Sequence, residues 1–166
     1  MDDNEKEEID EDSDEEEKLY TIFNLNGEDY GISVEVMDEI VKDIDTFNVP
    51  ASPEYLLGAT NLRENVVPVI DLKLLIGLGK TKDGWEEVLL VRHEGKRYAM
   101  PVDEVKDMIS PKKQQMVDPS SITNLREKNI KWMIKLDDNK SVRVLDFKEL
   151  LSGIIDDFEI EEKLGE

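Results

Sequence analysis

Asp71 and Asp146 are the carboxylates whose placement could support acid–base chemistry, because an internal repeat sets them at matching positions. Two facing carboxylates can act as general acid and base, or as nucleophile and acid. Each also closes a predicted strand just before a predicted helical turn. There an aspartate oxygen accepts hydrogen bonds from the first N–H groups of the turn. Both halves use the residue alike, so capping is the favoured reading. His93 is the single histidine and lies on a predicted strand. With no cysteine and no second histidine to share a metal, it reads as a structural or exposed side chain. Asp10, Asp12 and Asp14 have the spacing that opens a calcium loop. However, Glu15 stands where the loop needs glycine, and Thr21 where it needs a bidentate glutamate. There is no glycine-rich phosphate loop, nucleophile elbow or metalloprotease helix. No catalytic, cofactor-binding or metal site is expected, and the chain is expected not to be an enzyme.

The elements that carry these residues are organised around Tyr55 to Gly77. Two apolar runs flank a polar break at Arg63-Glu64-Asn65, the pattern of a β-hairpin with Arg63 at its tip. The second run is rich in β-branched residues, which suit a pleated, half-buried surface. Pro68 cannot donate a ladder hydrogen bond, which predicts an edge strand or a bulge at that point. Residues 130–153 repeat this stretch in weaker form, at an offset of 74 before the turn and 75 after it. At an offset of 68, Gly27 to Val34 matches Gly95 to Val102, and Tyr20 to Phe23 matches Val88 to Val91. Asn26-Gly27 is a strong type I′ hairpin signal, and Gly95 marks the equivalent turn. Val36 to Val41 could be strand or helix; its match to the segment before Pro111 favours strand. Residues 45–53 read as a loop and 111–127 as a long polar connection. Short helical turns are predicted at 72–76 and 147–151, the second capped by Gly153.

Composition bounds the function. The chain has 166 residues and net charge −20; residues 1–18 alone hold 12 acidic and 2 basic side chains. That balance repels phosphate backbones and anionic lipid, so neither nucleic-acid binding nor direct membrane insertion is expected. Absence of cysteine and of a signal peptide fits a cytoplasmic protein. Residues 1–18 form an acidic low-complexity tail that lacks the apolar surface to order itself, and 154–166 read as an acidic tail or short helix.

The run Gly58-Ala-Thr-Asn61-Leu62-Arg63 followed by Pro68-Val-Ile-Asp71-Leu72 resembles the signature of the chemotaxis coupling protein CheW family. So do Gly27-x-x-Tyr30-Gly31-Ile32 with Val34, and then Glu39-Ile40. The resemblance runs from about Leu19 to Leu151. It implies an all-β fold of two intertwined five-stranded SH3-like barrels with short helical turns and a short C-terminal helix. In this chain the domain would be 19–153, with subdomains roughly at 19–80 and 85–151 and strands exchanged between them. The resemblance further implies a non-catalytic adaptor, recruited to membrane-associated receptor arrays. It would link chemoreceptor cytoplasmic tips to the regulatory domain of the histidine kinase CheA. Carried over by position, the partner-binding residues are Met37, Glu39, Gly58, Asn61, Leu62 and Arg63. Gly27, Asn65, Asp71, Gly95 and Asp146 serve turns and caps. Where the family has glycine after Asn-Leu-Arg this chain has Glu64, so Asn65 is expected in the left-handed turn position. Lys73 stands where arginine is frequent, and Trp132 where the second half has glycine. A coupling module fused to a receiver domain is the alternative within the family; the 15 residues after Leu151 are too few for a receiver. A small-barrel enzyme using Asp71 and Asp146, or a ligand-binding barrel, are the alternatives outside it.

Overall fold

The computed structural model describes residues 17–121 and 129–154. The calcium-like spacing at Asp10 and most of both acidic tails lie outside them. Among the described residues twelve strands form two six-stranded sheets. They are β1 (Tyr20–Leu25), β2 (Glu28–Ser33), β3 (Met37–Lys42), β4 (Thr46–Phe47), β5 (Leu56–Leu62), β6 (Asn65–Ile70), β7 (Glu87–His93), β8 (Lys96–Val102), β9 (Glu104–Ile109), β10 (Met116–Val117), β11 (Ile130–Lys135) and β12 (Ser141–Leu145). Helix α1 is Leu72–Leu75, and α2 runs over 147–154.

The hydrogen-bonded order is β10-β11-β12-β2-β1-β9 in one sheet and β4-β5-β6-β8-β7-β3 in the other. The sequence repeat maps onto this arrangement pair by pair. Val69 meets Ala99 in the parallel β6–β8 contact, and its counterpart Val144 meets Gly31 in β12–β2. Val41 pairs with Val88, and Ile109 with Tyr20. The first two strands of each half thus take their third strand from the other half. Each sheet has five strands of five to seven residues plus a two-residue sixth, β4 or β10. Both short strands fall in segments expected to be loop or connection. Two residues give almost no local signal, and their pairing with Thr60, Ala59, Ile134 and Met133 is entirely non-local.

Strand exchange explains why β1 and β7 are apolar on successive residues rather than on alternate ones. In β1, Phe23 and Leu25 enter the central core while Tyr20 and Ile22 face a second cluster with Ile134, Val142 and Val144. In β7, Leu89 and Val91 enter the central core while Val88 and Leu90 join Val67, Val69 and Ala99. A strand covered on both faces needs both parities apolar. The central cluster also holds Tyr30, Tyr98, Ile70, Leu145, Leu72 and Phe147, the last six being three repeat-related pairs.

Local chemistry sets the turns. Asn26 and Gly27 have φ of 53° and 86°, as a type I′ turn requires, and Glu94 and Gly95 have 50° and 77°. At the central hairpin the left-handed residues are Arg63 (φ 49°) and Glu64 (φ 68°), not Asn65. Asn65 is the first residue of β6, pairs with Leu62, and serves the turn through its Nδ2 donating to the Arg63 carbonyl at 3.3 Å. A two-residue loop places both left-handed positions before it. Pro68 also differs from expectation: β6 is an interior strand, and the register shift lies across from it in β5, between Leu56 and Gly58. Proline is accommodated because the ladder to β8 registers only at Val69. Gly153 does not cap α2. It lies inside the helix, which continues to Ile154 because that side chain is buried in the central core.

Candidate partner-binding surface

Asp71 caps α1 as expected: its Oδ1 accepts from Leu74 N at 3.2 Å. Asp146 does the same for α2 from Glu149 N at 3.1 Å. The two aspartates then diverge. Asp71 is fully buried and also accepts from the backbone N–H of Thr81 at 2.9 Å and from the Thr81 hydroxyl. That ties the loop after α1 back onto its start. Asp146 is half-buried and caps only. Each carboxylate is committed to a helix start, in a structural role. Helix α1 ends with Gly77 at φ 84°, where Leu78 N reaches Lys73 O and Gly77 N reaches Leu74 O, a Schellman closure.

The surface residues named from the sequence divide by the pleat of β5. Ala59, Asn61 and, across the ladder, Phe47, Val66 and Pro68 share one face. Thr60 and Leu62 face the other way, where Leu62 packs on the cluster of Val67, Val69 and Val88. Leu62 is therefore mainly a core residue. Gly58 is buried as well. It has φ 150°, and a Cβ there would stand 2.5 Å from the Phe47 carbonyl oxygen and 2.7 Å from Thr46 Cγ2. The close pass of β4 dictates glycine at that position. Met37 starts β3 half-buried and packs partly on the central core. Asn61, Arg63 and, in part, Glu39 reach solvent.

Arg63 and Glu39 meet. Arg63 Nη2 lies 2.7 Å from Glu39 Oε2, with the arginine side chain 64% exposed. The hydrogen bond to Glu39, and then that carboxylate's charge, raise the guanidinium pKa above its ordinary value. Arg63 is thus an ion-paired cation. The pairing is informative about shape: β3 is at one end of its sheet, three strands from β6. Contact between β3 and the β5–β6 tip means that the sheet curls strongly. Next to Glu39, Asp38 accepts from Arg92 at 2.6 Å and lies 3.4 Å from Arg97. Neither arginine was singled out from the sequence, since only the β3–β7–β8 order brings them to β3.

The outward face of β4–β6 combines this charged rim with apolar side chains in water. Phe47 is 45% exposed and Val66 65% exposed. Beside them runs a groove of about 630 Å³, with Val49, Leu56, Pro68, Lys96, Arg97 and Tyr98 among its lining. Sequence reasoning named Asn61 and Arg63 here but not Phe47 or Val66. The signal was available: Val66 is a β-branched residue beside a turn, on the face opposite the core alternation. Among the described residues no group of three or more His, Asp or Glu side chains could hold a metal ion. His93 is nearly buried and sits 4.0 Å from Glu94.

A two-sheet β module with a partly apolar, charge-rimmed outer face belongs to the class of proteins that work by contact. Residues 19–154 match the model of the CheW-like domain. The chain is 35% identical over 140 residues to the chemotaxis protein CheW of Helicobacter pylori, covering 83% of this chain and 84% of that one. It is 28% identical over 147 residues to the chemotaxis protein CheW of Treponema pallidum, covering 85% of each. It is similar also to the scaffolding protein TtCheW of Thermoanaerobacter tengcongensis, with TM-score 0.71 and 28% identity over 80% of this chain and 91% of that one. The chain belongs to the CheW family of chemotaxis coupling adaptors.

Proposed function

We propose that this chain couples a chemotaxis histidine kinase of the CheA type to chemoreceptor cytoplasmic tips, holding the two in a signalling array without catalysing a reaction itself. The observation that carries the reading is the outward face of β4–β6, where Phe47 and Val66 stand in water beside Asn61 and the Arg63–Glu39 pair. Exposed apolar side chains rimmed by charge mark a protein-contact surface. The turn that carries Arg63 is braced by Asn65 and the β5–β6 ladder, so docking costs little ordering entropy. Asp71 and Asp146 are committed to helix caps, which disfavours the enzyme reading. No helix among the described residues is long and apolar enough to cross a membrane; localisation to an array would then follow from the partners.

The test is assembly. Arg63→Glu places a second carboxylate beside Glu39, and Val66→Glu puts a charge in the apolar face. Each should leave the circular dichroism spectrum unchanged. Each should weaken co-sedimentation with the kinase regulatory domain and a receptor cytoplasmic fragment by about 30-fold or more, the scale for losing one partner of a desolvated contact. Lys80→Glu, in the loop after α1, is the control. Folded variants of both residues that assemble like the parent would reject this face as the contact.

A further inference from the structure

Strand β3 carries a bulge at Asp38. Met37 opposes Val91 and Glu39 opposes Leu90, so Asp38 is the extra residue. A bulge re-aims the side chains beyond it. In a regular strand Met37 and Val41 would share a face. Here Met37 packs partly on the central core, and Val41 on the cluster of Val67, Val69 and Val88. The change of face falls at the register shift. Alternation from Val41 then puts Glu39 on the second cluster's side. Leu62 packs there too, and the β5–β6 tip beside it carries Arg63. The bulge thus decides that Glu39 meets Arg63.

Asp38 is held from two sides. Arg92 and Arg97 stand directly opposite each other in the β7–β8 ladder, where like charges repel. Asp38 answers both: its Oδ1 lies 2.6 Å from Arg92 Nη1 and its Oδ2 lies 3.4 Å from Arg97 Nε. Arg92 Nη2 also donates to the Glu35 carbonyl at 3.1 Å, and Arg92 N to the Val36 carbonyl at 2.8 Å. A single exposed ion pair fixes little. A carboxylate shared by two arginines, one of them also bonded to the chain entering β3, fixes the bulge. The repeat shows the same device with its polarity reversed. Lys106 stands 68 residues after Asp38, and Asn24 and Asp29 stand 68 before Arg92 and Arg97. Asn24 pairs with Asp29 across β1–β2, and Lys106 Nζ lies 3.0 Å from Asp29 Oδ1. The β1–β9 register shifts between Met108 and Val105, around Lys106. In that half the counterparts of Glu39 and Arg63 are Asp107 and Asp137, two carboxylates. It closes without an ion pair between them, so the Glu39–Arg63 pair is not a requirement of the fold.

We propose that Asp38, Arg92 and Arg97 are positioning residues for the β4–β6 contact face: their triangle fixes the β3 bulge that turns Glu39 onto Arg63. The proposal rests on the reading of that face as the partner contact.

Two readouts test it, one in the free protein and one in the complex. Asp38→Asn removes the charge at constant size. It should speed hydrogen exchange of the Arg63 guanidinium and move the amide signals of 37–40 and 61–65. Lys106→Gln, which loosens the counterpart bulge, should leave both in place. Asp38→Asn should also weaken co-sedimentation with the kinase regulatory domain and receptor fragment. The expected loss is about threefold or more, the lower end of coupling within one charge network. In an Arg63→Gln background it should weaken assembly no further, whereas a merely structural role would cost the same in both. Asp38→Lys with Arg92→Asn and Arg97→Asp copies the other half's triangle and should restore both the Arg63 signals and assembly. Should Asp38→Asn not fold, Arg97→Gln opens the triangle from one side and gives the same comparison. Arg63 signals unchanged by Asp38→Asn, equal losses in both backgrounds, or a folded triple variant without restoration would overturn the proposal. Moved signals in the free protein together with parent-like assembly of Arg63→Glu would reject the contact face while upholding the triangle's hold on Glu39.

Discussion

Gly58→Ala gives the sharpest test of how the candidate surface is built. The substitution leaves charge and hydropathy almost unchanged, so its cost is steric. An alanine Cβ would meet the Phe47 carbonyl oxygen at 2.5 Å and Thr46 Cγ2 at 2.7 Å. The threonine methyl can rotate away. The carbonyl cannot, because Phe47 pairs with Ala59 and Thr46 with Thr60 in the β4–β5 ladder. A φ of 150° adds strain for any residue with a Cβ, of order 1–3 kcal/mol. Displacing β4 adds the loss of one or two ladder hydrogen bonds, at about 1 kcal/mol each. Together these predict about 2–5 kcal/mol. At roughly 3–4 °C per kcal/mol for a domain of this size, Tm should fall by about 6–20 °C. Thermal and urea unfolding by circular dichroism measure the loss, and amide shifts confined to 46–49 and 56–60 locate it. Gly84→Ala is the comparison, with φ 99° but open space around the added Cβ, and should cost only the backbone strain. A Gly58→Ala protein with a Tm within 2 °C of the parent would refute the close-packing argument. Glycine at 58 would then be free to serve a partner directly, as the family resemblance implied.

Further expectations concern caps, turns and charge. Asp71→Ala should cost about 2–4 kcal/mol, because it removes a cap and strands the buried Thr81 donors, whereas Asp146→Ala should cost about 1 kcal/mol; denaturant titration separates the two. Gly27→Val and Gly79→Val should destabilise by similar amounts, each about 1–3 kcal/mol, since both have positive φ in open space. Arg63→Glu should be partly rescued in complex assembly by Glu39→Arg, which re-forms the pair with its polarity reversed, and an absence of rescue would show that each side chain acts on a partner independently.

Much of this protein was legible in the residues because the signals were local. Asn26-Gly27 and the Glu94-Gly95 turn are set by φ, Asp71 and Asp146 by helix-start hydrogen bonding, and the strands by runs of β-branched residues. The internal repeat, read from offsets alone, reappears as matched register pairs in two sheets. Where prediction failed, a distant group decided the outcome. Gly153 stays helical because Ile154 reaches the central core, and β4 and β10 exist only through strands far along the chain. The candidate surface shows the same division. Asn61 and Arg63 could be named from a turn and a resemblance. That Leu62 turns inward, that Gly58 lies under β4, and that Arg63 is held by Glu39 from the far end of a curled sheet depended on pleat, close approach and sheet curvature. Sequence determines the order of turns and strands because each needs only its own few residues. Which strands exchange, and which side chains then share a face, is decided by burial summed over the whole fold.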